Sequence, residues 1–190
     1  MQVPDKNIVT RRIPSLFQHI GLISTLPNKL QKLEDSTFRM AERKILNKNP
    51  PADVLTTMTV YNDFRPEYAY RATPGFFWGI TKSEDTYDIV LHKPTNVSRI
   101  LIYSGMPEKK KKKIVMKDVI ADGVLQISDT YIKTFSNLSA GCENFLEIGE
   151  FTDGNVDVSV DPGTKVQCVR IKIGAGQKSW AIIREIEIIK

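Results

Sequence analysis

After Pro51 the apolar positions fall in short runs with a period near two, the spacing of strands with one buried face. Val54–Tyr61 is rich in Thr, Val and Met, and Phe76–Thr81 is short and aromatic. Tyr87, Ile89 and Leu91 alternate with Asp88 and His92, while Val97–Tyr103 is apolar on both faces, as a central strand is. Val115–Ile127 is interrupted by the turn signal Asp122-Gly123. Phe145–Phe151, Asp153-Gly154 and Asn155–Val160 read as a hairpin, because Asp-Gly supplies the positive φ angles a tight turn needs. Gln167–Ile173, the turn Gly174-Ala175-Gly176-Gln177-Lys178 and Trp180–Ile189 read as another. The last strand alternates imperfectly, which predicts a bulge near Ile183–Arg184. About nine short strands with turns between them and no long helical period predict an all-β fold, an antiparallel β-sandwich or barrel.

Residues 1–50 read differently. They carry Pro4, Pro14 and Pro27 without a clear period, and Asn49-Pro50-Pro51 is a strong break. Short helical turns are expected around Ser15–Ile23 and Leu30–Arg43. The chain has 190 residues, 41% of them hydrophobic, which suits one core with an appendage and argues against whole-chain disorder. No apolar run reaches the length of a membrane span. The stretch Met1–Lys6 lacks a signal-peptide core, so a secretory location requires a signal outside this sequence.

The net charge of +5 is local: removing the block Lys109–Lys113 leaves 22 basic against 22 acidic residues. No stacking aromatics adjoin that block, so it reads as a solvated loop and no nucleic-acid partner is expected. The two cysteines, Cys142 and Cys168, match no zinc spacing. They form either one disulfide in an oxidising compartment or two buried thiols. Cys168 shares its strand face with Arg170 and Lys172, a polar face that favours the disulfide.

Enzyme signatures are missing. There is no Gly-x-Ser-x-Gly elbow and no Asp-x-Asp, and His19 and His92 lie far apart, so His92 reads as a surface residue. Gly174-Ala175-Gly176 precedes a strand rather than the helix a phosphate loop needs. Asp153-Gly154-Asn155-Val156-Asp157 lacks the rest of a calcium loop. Glu67, Glu84, Asp85 and Glu108 read as solvated loop acids. Asn96-Val97-Ser98 and Asn137-Leu138-Ser139 are glycosylation sequons. The long loop Phe64–Gly75 mixes Arg65, Glu67, Tyr68, Tyr70 and Arg71, side chains that suit sugar binding, while Phe76, Phe77 and Trp78 read as core packing.

At this point a family resemblance emerges. The ending Val169-Arg170-Ile171 and Trp180–Ile188, with Phe77-Trp78, Asp88–Leu91 and Pro94, resembles the discoidin and family 32 carbohydrate-binding sandwich, a galactose-binding-like jelly roll. Pro14–Gly21, Asn49-Pro50-Pro51-Ala52, Phe76-Phe77-Trp78, Ser104-Gly105 and Trp180-Ala181-Ile182 together resemble the C-terminal part of the α-1,3-mannosyl-glycoprotein 4-β-N-acetylglucosaminyltransferases (N-acetylglucosaminyltransferase IV). Where the active transferases tend to carry an acidic residue before the Phe-Phe-Trp triplet, this chain has Pro74-Gly75.

The resemblance implies a layout: residues 1–30 as the tail of a preceding glycosyltransferase domain, residues 31–190 as a lectin-like β-sandwich with an irregular N-terminal segment. It implies GlcNAc-bearing N-glycans and glycoprotein substrates as ligands, in the Golgi lumen, with a membrane anchor only outside this chain. The family's full-length enzymes use UDP-GlcNAc and a divalent metal. This chain by itself is expected to need no cofactor and to transfer no sugar. The implied sugar contacts are Glu67, Tyr70, Thr81, Tyr103, Ser104 and Glu108, with Trp78 structural. The alternative is a non-catalytic module that regulates other Golgi glycosyltransferases by protein contacts.

Overall fold

The computed structural model describes residues 49–72, 75–110, 113–132, 141–177 and 179–190. The expected tail at 1–30, the helical turns near 15–23 and 30–43, and the Asn137 sequon lie outside them.

In chain order the elements are β1 (Ala52–Thr56), β2 (Thr59–Val60), α1 (Glu67–Tyr70), β3 (Phe77–Ile80), β4 (Thr86–Asn96), β5 (Arg99–Ser104), β6 (Met106–Lys110) and β7 (Lys113–Lys117). There follow β8 (Gly123–Ser128), β9 (Thr130–Ile132), β10 (Gly141–Glu143), β11 (Leu146–Glu150), β12 (Asn155–Ser159), β13 (Lys165–Ile173) and β14 (Trp180–Ile189). Two five-stranded antiparallel sheets, β1-β4-β13-β8-β11 and β12-β5-β14-β3-β2, face each other, and β6-β7 and β9-β10 form two smaller pairs.

The period of two builds the core directly. Ile89 pairs with Val169 and Val169 with Ile127, while Tyr87 pairs with Ile171 and Ile171 with Leu125. On the other sheet Ile102 pairs with Val156 and Ile186, and Ile100 with Val158 and Ile188. All but Val158, which packs partly buried against it, belong to one buried cluster, so each row across a sheet is an apolar stripe facing its counterpart. The helical turn α1 joins that cluster through Ala69 and Tyr70. The Tyr70 hydroxyl donates to the Pro50 carbonyl at 2.6 Å. Asn49 ties the chain entry to both: its Nδ2 donates to the carbonyls of Tyr70 (2.8 Å) and Ile186 (2.7 Å), and its Oδ1 accepts from Ile188 N–H at 2.7 Å.

Several expectations need correction. Asp153 (φ 50°) and Gly154 (φ 77°) do form a tight turn, but β11 and β12 lie in opposite sheets. The turn at 174–178 likewise connects β13 in one sheet to β14 in the other. The run Lys109–Lys113 is not simply a loop: Lys109 and Lys110 belong to β6, Lys113 begins β7, and Lys110 pairs directly with Lys113. The segment after Phe64 contains α1, and His92, within β4, is exposed as expected. The bulge in the last strand is present, between Ile183 and Glu185.

The expected disulfide is also present, joining Cys142 to Cys168. Cys168 pairs with Ser128 and Val90 on the face of β13 opposite to core residues Val169 and Ile171, yet it is buried. The β9–β10 pair brings Cys142 to it, and the Ser128 hydroxyl donates to the Glu143 carbonyl beside the bond. On the same face Arg170 donates twice to the Asp88 carboxylate, at 2.7 Å each, and lies 3.9 Å from the centre of the Phe145 ring.

Candidate functional site

The alternation that buries Phe77, Ala181 and Ile183 forces their neighbours outward. Register pairs Trp78 with Ile182 and Ile80 with Trp180, so these four side chains share the outer face of the β14–β3 ladder. Tyr61, just past β2, extends the row, its N–H donating to the Trp78 carbonyl at 2.9 Å. A turn then closes with Phe64 N–H donating to the Tyr61 carbonyl at 3.1 Å. Asn62 takes the left-handed conformation there (φ 48°), which asparagine tolerates better than most residues.

The result is an aromatic shelf. The Tyr61 ring lies 4.7 Å from Trp78 and 5.3 Å, edge-on, from Trp180, and the two indoles are 5.6 Å apart. Phe64 extends it, stacked on Phe76 at 4.7 Å. Tyr61 is 37% exposed, and Phe64, Trp78 and Trp180 are half-buried. The Trp78 indole Nε1 is buried and has no hydrogen-bond acceptor among the described residues. A buried donor without an acceptor costs on the order of 1–3 kcal/mol, and native proteins keep few of them.

The loops at the Trp180 end are cross-braced. Gln177 Nε2 donates to the carbonyls of Val119 (3.0 Å) and Trp180 (3.2 Å), and its Oε1 accepts from Ala121 N–H at 2.7 Å. The Asp122 carboxylate accepts from Gly176 N–H. This carboxylate fits because position 174 has no side chain: a Cβ there would come within 2.0 Å of Asp122 Oδ1. Ile182 N–H donates to the Asp118 carbonyl at 2.8 Å and the Ile182 carbonyl accepts from Gly105 N–H at 2.7 Å. Those two contacts root the β6–β7 hairpin at the strand position opposite Trp78.

The six residues expected to contact sugar lie on α1 (Glu67, Tyr70), just after β3 (Thr81), on β5 (Tyr103, Ser104) and on β6 (Glu108). Thr81 follows Ile80 at the shelf end, buried, its N–H donating to the Ser179 carbonyl at 2.8 Å. Tyr103 sits half-buried on β5, paired with Glu185 and Asn155 on the shelf's sheet. Glu108 lies on β6, paired with Val115, with Oε2 buried. Ser104 is buried, donating to the Gly154 carbonyl and accepting from Ile120 N–H at 2.9 Å. Glu67 opens α1, and its Oε2 is buried without a hydrogen-bond partner among the described residues. Tyr70 is core. The hydroxyls of Tyr70 and Ser104 are engaged in internal hydrogen bonds that brace the fold. Burial raises the phenol pKa of Tyr70, and holds that of Tyr87 well above its ordinary value with the Glu67 charge adding to the effect. Asn96 is exposed at the end of β4.

The shelf itself went unpredicted. Trp78 reads as core when Phe76-Phe77-Trp78 is taken as one apolar block, and Trp180 reads as an ordinary strand residue. The available signal was parity: with Phe77 inward, Trp78 has to face out. Among the described residues no three His, Cys, Asp or Glu side chains come together to hold a metal ion, and no helix is long and apolar enough to cross a membrane.

Comparison with known proteins agrees with this geometry. Chitosan-binding module 1 from a Paenibacillus sp. IK-5 chitosanase/glucanase superposes with a TM-score of 0.54 at 12% identity, covering 76% of this chain and 98% of that one. The CBM32-1 and CBM32-2 domains of Clostridium perfringens ZmpB, solved with GalNAc, give 0.52 at 13% identity over 73% of this chain and 32% of theirs. The fold is thus the discoidin-like sandwich of family 32 carbohydrate-binding modules. In sequence, the chain is 34% identical over 188 residues to alpha-1,3-mannosyl-glycoprotein 4-beta-N-acetylglucosaminyltransferase C of Sus scrofa, covering 96% of this chain and 37% of that protein. It is 33% identical over 184 residues to alpha-1,6-mannosyl-glycoprotein 4-beta-N-acetylglucosaminyltransferase of Gallus gallus, covering 95% and 37%. It spans little more than a third of the length of these relatives. Residues 52–185, nearly the whole sandwich, match the MGAT4 C-terminal domain, and the chain belongs to that family.

Proposed function

We propose that this domain binds GlcNAc-terminated N-glycans on the Tyr61–Trp78–Trp180 shelf. It serves as the non-catalytic lectin part of a longer N-acetylglucosaminyltransferase of N-glycan branching in the Golgi lumen. In this reading residues 1–30 close a preceding transferase domain and residues 31–190 form the lectin unit, while UDP-GlcNAc and metal chemistry belong to the transferase domain. The observation that carries it is the exposed aromatic shelf with an orphaned indole donor on a carbohydrate-binding-module fold. A sugar ring lays its C–H face on Tyr61, and a hydroxyl approaching the indole edge supplies an acceptor to Trp78 after a small side-chain adjustment. The Cys142–Cys168 bond suits an oxidising lumen.

The chain supplies its own probe. It has two tryptophans, and both stand in the shelf. Titration with GlcNAc-terminated oligosaccharide is expected to shift tryptophan emission saturably, with weak affinity, while a mannose-terminated control does so less. A folded protein whose emission and NMR spectrum stay flat at millimolar glycan overturns the reading.

A further inference from the structure

Gln177 commits its whole side-chain amide. Nε2 donates to the carbonyls of Val119 (3.0 Å) and Trp180 (3.2 Å), and Oε1 accepts from the N–H groups of Ala121 (2.7 Å) and Asp122 (3.3 Å). Two donors and two acceptor sites are what a primary amide offers, so neither a glutamate nor an apolar side chain of the same length makes these four bonds. The residue is half-buried, and its own N–H donates to the Gly174 carbonyl at 3.4 Å, which fixes the backbone from which the amide reaches out.

What this amide holds is one wall of the shelf. Trp180 is the first residue of β14, and structure frays most readily at its ends. On one side the ladder to β3 holds it, opposite Ile80. On the other side the ladder to β5 stops at Ile183, paired with Ser104, and Ile182 bonds to Asp118 and Gly105 instead. Carbonyls two residues apart point the same way along a strand. The Trp180 carbonyl therefore faces the side on which Ile182 is held, and the Gln177 amide meets it there. Tyr61 and Trp78 are tied to each other by a backbone hydrogen bond, whereas Trp180 meets them through its ring, 5.3 Å from Tyr61 and 5.6 Å from Trp78. We propose that Gln177 is a positioning residue for the shelf: its amide stands in for a neighbouring strand at Trp180 and keeps that ring against the other two. The effect on ring placement follows from the hydrogen bonds alone, and the effect on affinity rests on the proposed glycan-binding role of the shelf.

The test compares four proteins, all held well below their thermal midpoints. They are the wild-type chain, Gln177→Glu, which keeps an acceptor but has no amide donor, Gln177→Met, which matches the length without either, and Cys142→Ser. The last lowers stability from the opposite sheet by breaking the Cys142–Cys168 bond. Near-ultraviolet circular dichroism reads the packing of the tryptophan rings, and NMR titration with a GlcNAc-terminated oligosaccharide reads affinity. Both Gln177 variants are expected to show altered tryptophan bands and about fivefold weaker glycan binding, the worth of one neutral hydrogen bond. Cys142→Ser should keep the wild-type bands and affinity. Wild-type bands or wild-type affinity in the two Gln177 variants overturns the inference and leaves the shelf reading intact. An equal loss in Cys142→Ser overturns it as well, because general softening would then account for the effect. If the wild-type chain does not respond to the glycan, the shelf reading falls, and the bands alone decide whether Gln177 places the ring. Should a Gln177 variant fail to fold, the wild-type side-chain amide resonances of Gln177 decide: glycan should move them together with the Trp180 indole resonance, and resonances that stay fixed while the indole moves overturn the inference.

Discussion

Removing the Cys142–Cys168 bond tests how the two faces of the sandwich are divided between stability and binding. The bond closes a segment of 26 residues, and the loop-closure relation gives about 3.5 kcal/mol of stabilisation through the unfolded chain, within the usual span of about 2–4. For a chain of 190 residues, each kcal/mol moves the thermal midpoint by roughly 2–4 °C, so reduction should lower it by about 7–14 °C. Cys142→Ser is the matching variant, because Cys142 is the half-buried partner and Cys168 keeps its place under β9–β10. Thermal unfolding followed by circular dichroism, with and without reductant, reads the midpoint, and thiol titration of the native protein should find none free. The tryptophans lie on the other sheet, so native emission and glycan response should not change on reduction. A midpoint shift under about 2 °C, or a change in native emission, would show that this staple does not act as reasoned here.

Tyr61→Ala removes the exposed ring of the shelf and should weaken glycan binding roughly three- to tenfold, the worth of one aromatic contact, with little change in thermal midpoint. Gly174→Ala drives a Cβ onto the Asp122 carboxylate and should cost about 1–3 kcal/mol in urea unfolding, part of which an added Asp122→Gly recovers. Tyr70 and Tyr87 have raised phenol pKa values. Their stabilisation is complete below the unfolded phenol value of about 10 and declines as pH rises beyond it. Spectrophotometric alkaline titration should therefore show both ionising late and only with unfolding, and Tyr70→Phe should remove one late phenol. Expression through a eukaryotic secretory pathway should add a glycan at exposed Asn96, seen as a mass increment that Asn96→Gln abolishes.

Sequence alone established the class of this fold and much of its inventory. Strands alternate with period two, so Tyr87, Ile89, Val169 and Ile171 declare their core face without any neighbour being known. Cys168 could be set apart from core filler by the same parity, and the bulge near Ile183 followed from one break in it. The motifs at Asn49–Ala52, Phe76–Trp78 and Trp180–Ile182 carried the family.

What only the tertiary structure decided is which strands are partners and which exposed rings meet. Asp153-Gly154 specifies a tight turn, but nothing local to it states that β11 and β12 enter opposite sheets; that choice depends on apolar area contributed by residues far along the chain. Tyr61, Trp78 and Trp180 lie up to 119 positions apart, and they share a shelf because β14 pairs with β3 in one register. Tyr70 and Ser104 show the converse. Their residue types suit a sugar site, but the packing of α1 and of the Gly154 turn gave their hydroxyls internal partners. Periodicity is a property of the local backbone, so the sequence displays it. Register and convergence are set by the summed burial of distant segments, which becomes visible only once the two sheets have closed on each other.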